Sequence, residues 1–168
     1  MATSTDRPFL YSEAERRRRD ASPWTLVQGV LAPLQFAIFL VSLALVSRTL
    51  ATGEGAFLAN ASVVAKTLAL YAIMVTGSLW EKAVFGRYLF APAFFWEDAV
   101  SMLVLALHTA YLVALATGAF GTSGLMLLAL SAYATYLVNA GQFLLKLRAA
   151  RLQTPAKVRL SSALGAAR

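Results

Sequence analysis

Four long apolar stretches, at about 24–50, 56–80, 94–117 and 125–147, alternate with short polar breaks along the chain. Each exceeds or reaches the roughly 20 residues with which an α-helix crosses a bilayer. The breaks carry turn formers, Thr52-Gly53-Glu54-Gly55 after the first stretch and a run from Gly118 to Gly124 before the fourth. Ser22 stands where an N-cap belongs, and Pro23 suits the first turn of a helix. Pro33 lies inside the first stretch, where a missing backbone donor favours a kink. Gln28 and Gln35, seven residues apart, share one helical face, and the cost of amides in lipid turns that face towards the bundle. The pattern predicts an all-α fold, an integral membrane four-helix bundle over 23–150, between a basic head (1–22) and a basic tail (151–168).

Composition reinforces the reading. Of 168 residues, 59% are apolar and 14% charged, against about 45–50% and about 25% in ordinary soluble domains. Such a chain cannot cover itself with polar surface in water, and its expected surroundings are a lipid bilayer. The formal charge of +7 is explained by basic residues at the ends of membrane segments and does not point to nucleic acid. The Arg16–Arg19 run followed by an apolar stretch resembles a twin-arginine export signal, but that stretch is too long for a signal-peptide core. Without cysteine, disulfides, thiolate zinc sites and cysteine nucleophiles are excluded.

Lys and Arg distribute unevenly. Five stand in the head, two (Lys82 and Arg87) between the second and third stretches, and six at the C-terminal end from Lys146 onwards, whereas Arg48 alone stands on the other side. The positive-inside rule then places both termini and the 80–98 connector in the cytoplasm.

That connector, WEKAVFGRYLFAPAFFWED, holds three of the eight carboxylates, Glu81, Glu97 and Asp98, between two Trp-Glu pairs, Trp80-Glu81 and Trp96-Glu97. Carboxylates in a helix's first turn interact well with its dipole, and Lys82 suits the end of the preceding one, so capping alone is one explanation. A second comes from spacing. Glu97, Ser101, Val104, His108 and Tyr111 fall at 3-4 intervals and form one stripe. An acid, a hydroxyl, an imidazole and a phenol on one membrane helix face an interior, because ionisable groups in lipid are costly. His108, the only histidine, either hydrogen-bonds within the bundle or acts, as a magnesium ligand or proton relay. With no second histidine, no metal site built from protein alone is expected. Lys66 enters from the opposite face to about the depth of His108, and its long stem favours snorkelling to the interface. The aromatics, Trp80 and Trp96 among them, suit either an interfacial belt or a cradle for a large flat ligand. No nucleotide loop, hydrolase elbow or redox motif occurs.

The segments DASPWTLVQGVLAPLQF (20–36) and WEKAVFGRYLFAPAFFWEDAVSMLVLALHTAYL (80–112) resemble the 3-vinyl bacteriochlorophyllide hydratase family, over roughly 12–155. The resemblance implies a hydro-lyase of bacteriochlorophyll biosynthesis, multi-pass in the cytoplasmic or intracytoplasmic membrane of a phototrophic bacterium. Its substrate is a magnesium tetrapyrrole whose vinyl group gains water to become a 1-hydroxyethyl group. Other pigment-biosynthesis enzymes are the implied partners. No cofactor of the protein's own is expected, the magnesium belonging to the pigment. On that footing Glu97 is the candidate acid, with Asp98 or His108 orienting water or gripping the magnesium. Arg87, Lys82 and Glu81 with Trp80, Trp96 and Ser101 are the candidate substrate contacts. Two rival classes are a non-catalytic tetrapyrrole-binding or assembly protein, using His108, and a small transporter, suggested by Lys66, Gln35 and Asn139. A shortage of broken-helix Gly and Pro signals counts against transport.

Overall fold

The computed structural model describes residues 10–166, with side chains over 10–150. Five helices follow in order: α1 (Glu13–Ala21), α2 (Pro23–Thr52), α3 (Ala56–Phe85), α4 (Phe95–Thr117) and α5 (Thr122–Ala166). α2, α3, α4 and the Thr122–Ala150 part of α5 are long and apolar enough to cross a membrane. The protein is all-helical, as its pattern predicts.

Several boundaries differ from the sequence reading, and each difference has a local cause. α3 does not stop at Trp80 but runs to Phe85, so Glu81 and Lys82 belong to its last turns. Nothing in Glu81-Lys82-Ala83-Val84-Phe85 breaks a helix. Gly86 does, at a φ of 83° that favours glycine, with its N–H donating to the Lys82 carbonyl. The connector therefore shrinks to 86–94. α5 likewise continues past 147, through the basic stretch to Ala166. Ser22 occupies the N-cap of α2 but makes no side-chain capping bond. α1 was not anticipated inside the head. It starts at a capping box, in which the Glu15 N–H donates to Ser12 Oγ and the Ser12 N–H donates to the Glu15 carboxylate.

α2 packs chiefly on α3 and α4 on α5. An α2–α5 contact joins the two hairpins, and α3 touches α4 and α1 more lightly. Each span contributes a narrow buried face. On α2 that face is Gln35, Phe39, Ser42, Val46 and Thr49, a 4-3-4-3 spacing that keeps one seam inward. The remaining sides are apolar and exposed, as lipid contact requires: Leu26, Phe57 and Leu144 are examples. Lipid tails are as apolar as these side chains, so burial alone supplies little drive between helices, and packing with interhelical hydrogen bonds must hold the bundle. Such bonds are numerous. Ser42 Oγ bonds Tyr133 OH at 2.5 Å and Ser62 Oγ at 2.7 Å, tying α2 to α5 and α3. Gln28 donates to Thr76 Oγ1, Tyr111 OH to Asn60, and Asn139 Nδ2 to Ser101 Oγ. Each contributes on average about 0.6 kcal/mol in a bilayer.

A second, aromatic cluster closes the end where α3 meets α4. Tyr11, Val84 and Phe94 are buried there against Trp80, Phe85 and Phe143. Tyr11 stacks on Phe85 at 5.8 Å with the Arg19 guanidinium over its ring, so the head is packed onto the bundle. Burial pushes the Tyr11 phenol up to about 12, which keeps it neutral. The head, the connector and the 146–150 part of α5 therefore gather at one end of the bundle.

Candidate active site

The buried carboxylates lie at this end. The short connector turns the chain back so that the last turns of α3 face the first turn of α4. Glu81, Glu97 and Asp98 are all buried. Glu81 Oε2 accepts from the Ala91 N–H at 3.2 Å, and Asp98 Oδ2 accepts from the Phe90 N–H at 2.7 Å. Adjacent N–H groups of the connector thus hold the two carboxyls side by side. A neighbouring, buried carboxyl pair is less costly with one proton between its two groups than with both ionised. Phe90 has a φ of 58°, a left-handed conformation that costs a bulky residue roughly 1–2 kcal/mol. The Asp98 bond holds it there.

Glu97 has a different partner. Lys146 Nζ donates to Glu97 Oε2 at 2.5 Å and also to the Ala93 carbonyl, while standing 4.9 Å from the centre of the Phe94 ring. Glu97 and Asp98 are adjacent in the chain, so three carboxyls and one ammonium gather at this end of the bundle. Beside them a cavity of about 430 Å³ is lined by Glu97, Lys146 and Gln142 with Leu10, Leu145 and Ala149. Asn139 and Gln142 precede Lys146 at 3-4 spacing on the same face of α5. Their Oδ1 and Oε1 atoms are buried and have no hydrogen-bond partner among the described residues.

The sequence stripe is buried along its whole length, from Glu97 through Ser101 and Val104 to His108 and Tyr111. Its members do not form one site. Eleven residues separate Glu97 from His108, or about 16 Å along a helix axis. His108 is fully buried in the bundle, with Nδ1 bonded to the Val104 carbonyl at 2.8 Å. Lys66 does not snorkel. Its side chain is 0% exposed, and Nζ sits 3.7 Å from the centre of the Tyr136 ring, which supplies an attraction the interface would not.

Among the other predicted residues, Trp80 is held in place, its indole N–H donating to Thr25 Oγ1 at 3.0 Å. Ser101 meets Asn139. Lys82 is exposed and caps α3 through the Gly86 carbonyl, with Tyr88 beneath it. Arg87 is exposed at the same end. Trp96 points away from the carboxylates, 71% exposed, against Phe95. Lys146 is the residue of this cluster that the sequence reading does not single out, since it stands among the basic residues of the C-terminal end. Its spacing from Asn139 and Gln142 was the available signal. Among the described residues, no three side chains of the metal-binding kinds gather as a site.

The fold is a helical bundle with four helices long and apolar enough to cross a membrane and with buried carboxyls clustered at one end. The chain belongs to the 2-vinyl bacteriochlorophyllide hydratase family (BCHF), whose sequence model matches residues 11–149. A 2-vinyl bacteriochlorophyllide hydratase of Rhodobacter capsulatus is 66% identical over 147 residues, which is 88% of this chain and 85% of that protein. A protein of the same name from Cereibacter sphaeroides is 64% identical over 148 residues, covering 88% of this chain and 91% of its own length. The name numbers the vinyl position 2 where the resemblance above numbers it 3, and a vinyl substituent is the reacting group in both. No solved structure matches the chain.

Proposed function

We propose that the protein adds water across the vinyl group of a bacteriochlorophyllide-type pigment, with the Glu81–Asp98 pair as proton donor and Glu97 as proton acceptor. One observation carries this assignment: two buried carboxyls held by adjacent connector N–H groups stand beside a third carboxyl tied to Lys146. Hydration needs those two functions and no others. A proton from the pair joins the terminal CH2, and positive charge develops on the inner carbon, where the macrocycle spreads it. Water attacks that carbon and gives its proton to Glu97. The balance is one proton delivered and one recovered, with no net electron transfer, so no redox cofactor enters and the magnesium stays with the pigment. Positioned acid–base groups of this kind typically contribute about 10²–10⁴-fold in rate.

The acid therefore passes from Glu97, the sequence candidate, to its neighbour. Lys146 occupies Glu97 Oε2, which suits an acceptor better than a donor. The unpartnered amide oxygens of Asn139 and Gln142 can accept hydrogen bonds from the attacking water. The cavity's apolar walls fit the edge of a flat ring, and the exposed Arg87 suits the pigment's carboxylate. His108, about 16 Å from Glu97, serves neither step.

The gathering of Arg16–Arg19, Lys82, Arg87 and Lys146 at the connector end, against Arg48 at the other, supports a cytoplasmic location for that end and both termini. The surrounding bilayer is then the cytoplasmic or intracytoplasmic membrane of a phototrophic bacterium, from whose inner leaflet the pigment enters. The test is direct. Membranes containing the protein, incubated with vinyl pigment in heavy-oxygen water, should raise the pigment's mass by one labelled water and blue-shift its long-wavelength band. Tight binding with unchanged pigment mass would instead indicate a non-catalytic pigment carrier.

A further inference from the structure

The bundle interior holds a second polar centre that the hydration chemistry leaves unused. Lys66 of α3 and His108 of α4 are both 0% exposed and pack against tyrosines one turn apart on α5. Tyr136 and Tyr133 of α5 face them, the first under the Lys66 ammonium at 3.7 Å and the second with its ring centre 5.9 Å from that of His108. Neither Lys66 Nζ nor His108 Nε2 has a hydrogen-bond partner among the described residues.

The bonding sense of each nitrogen follows from chemistry. His108 Nδ1 bonds the Val104 carbonyl. A carbonyl only accepts, so the hydrogen resides on Nδ1, and in the neutral ring Nε2 presents a lone pair. An ammonium only donates. The orphaned atoms are thus one acceptor and one donor in a shared interior. An anion would satisfy Lys66 and be repelled by the lone pair, and a cation would do the reverse. A molecule that donates to one and accepts from the other satisfies both, and the smallest such molecule is water. Buried polar groups left without protein partners are the usual hosts of internal water.

We propose that Lys66 and His108 form a water-binding site within the bundle, in which one water donates to His108 Nε2 and accepts from Lys66 Nζ. The site lies where α3, α4 and α5 meet, and the water links α3 to α4, which touch each other only lightly. It stands apart from the hydration reading and neither needs nor contributes a step to it.

His108 is the only histidine in the chain, which makes its imidazole nitrogens uniquely observable. Full-length protein labelled with nitrogen-15 histidine and reconstituted in lipid nanodiscs should give one protonated and one lone-pair nitrogen. Water-edited solid-state NMR should correlate the lone-pair nitrogen with a slowly exchanging water. The correlation should vanish in Lys66→Met while the protonated Nδ1 signal stays. A proton on Nε2, a direct bond from Nζ to Nε2, or a lone-pair nitrogen without a water correlation would each overturn the site. The unsubstituted protein alone decides between these, whether or not the variant folds. Pigment plays no part in the readout, so a failure of the hydration reading leaves it intact.

Discussion

The molecule carries two buried polar centres, and they are satisfied in opposite ways. At the connector end, charge meets charge and backbone: Glu97 has Lys146, Asp98 has the Phe90 N–H, and Glu81 has the Ala91 N–H. In mid-bundle, Lys66 has an aromatic face and His108 one carbonyl, and a nitrogen of each is left over. The first centre borders a cavity. Burial of ionisable groups is thus common to both and distinguishes neither. What separates them is access together with a group able to pass on a proton. The proposed hydration is therefore placed at the first centre, and the proposed water link between spans at the second.

The sharpest way to break this comparison is to remove the shared proton while keeping the geometry. Asp98→Asn retains an oxygen to accept from the Phe90 N–H, so the strained connector stays in place. It removes one of the two carboxyls between which the proton is held. Pigment hydration should fall about 10²–10⁴-fold, measured as labelled-water incorporation, while thermal stability in nanodiscs stays close to that of the unaltered protein. Full turnover in Asp98→Asn would dismiss the carboxyl pair as donor. A loss of stability equal to the loss of rate would make Asp98 a connector clamp and nothing more.

How much of this contrast the chain discloses depends on which interactions are local. The four spans are legible because their apolar stretches are long enough to cross a bilayer. The inward stripe from Glu97 to Tyr111 is legible because helical spacing needs only one helix. The Ser12–Glu15 capping box is equally local, a Ser-x-x-Glu signature. Pairings between elements were not readable. The Lys146–Glu97 contact joins residues 49 apart, and only the α4–α5 packing brings them together. The stripe itself misled in one respect, since continuity on one face suggested a single track. The helix rise of 1.5 Å per residue instead spreads it over two centres.

The Lys146–Glu97 pair provides the next test, of stability first. Lys146→Met leaves a mostly buried carboxylate without its cation. An unsatisfied buried acceptor costs about 1–3 kcal/mol. Adding Glu97→Gln should restore most of that stability, because an amide is less penalised than an unpaired charge. Hydration should stay lost in the double variant, since the amide cannot take the water's proton. A double-mutant cycle on unfolding in nanodiscs measures the coupling. Additive losses would show that the pair is not coupled in the bilayer.

A smaller effect belongs to the mid-bundle centre. Tyr133→Phe deletes the hydroxyl bonded to Ser42 at 2.5 Å and keeps the ring beside Phe39 and His108. It should cost about 0.5–1.5 kcal/mol of stability with hydration per folded protein unchanged. A fall in turnover without loss of stability would move chemistry to the second centre.

Trp96 gives the smallest expected effect and tests the border of the first centre. It immediately precedes Glu97 in the chain, yet it stands 71% exposed, because adjacent helical residues diverge by 100°. Its ring meets Phe95, which in turn meets Phe90 at 5.6 Å, so the three form an outward aromatic patch. A belt role for Trp96 would anchor depth in the interface and take no part in the carboxyl chemistry. Trp96→Phe should leave stability within about 0.5 kcal/mol and the hydration rate at saturating pigment unaltered. A raised KM at constant kcat would assign the patch to pigment entry. A lowered kcat would extend the catalytic centre outward to the helix face that lipid covers.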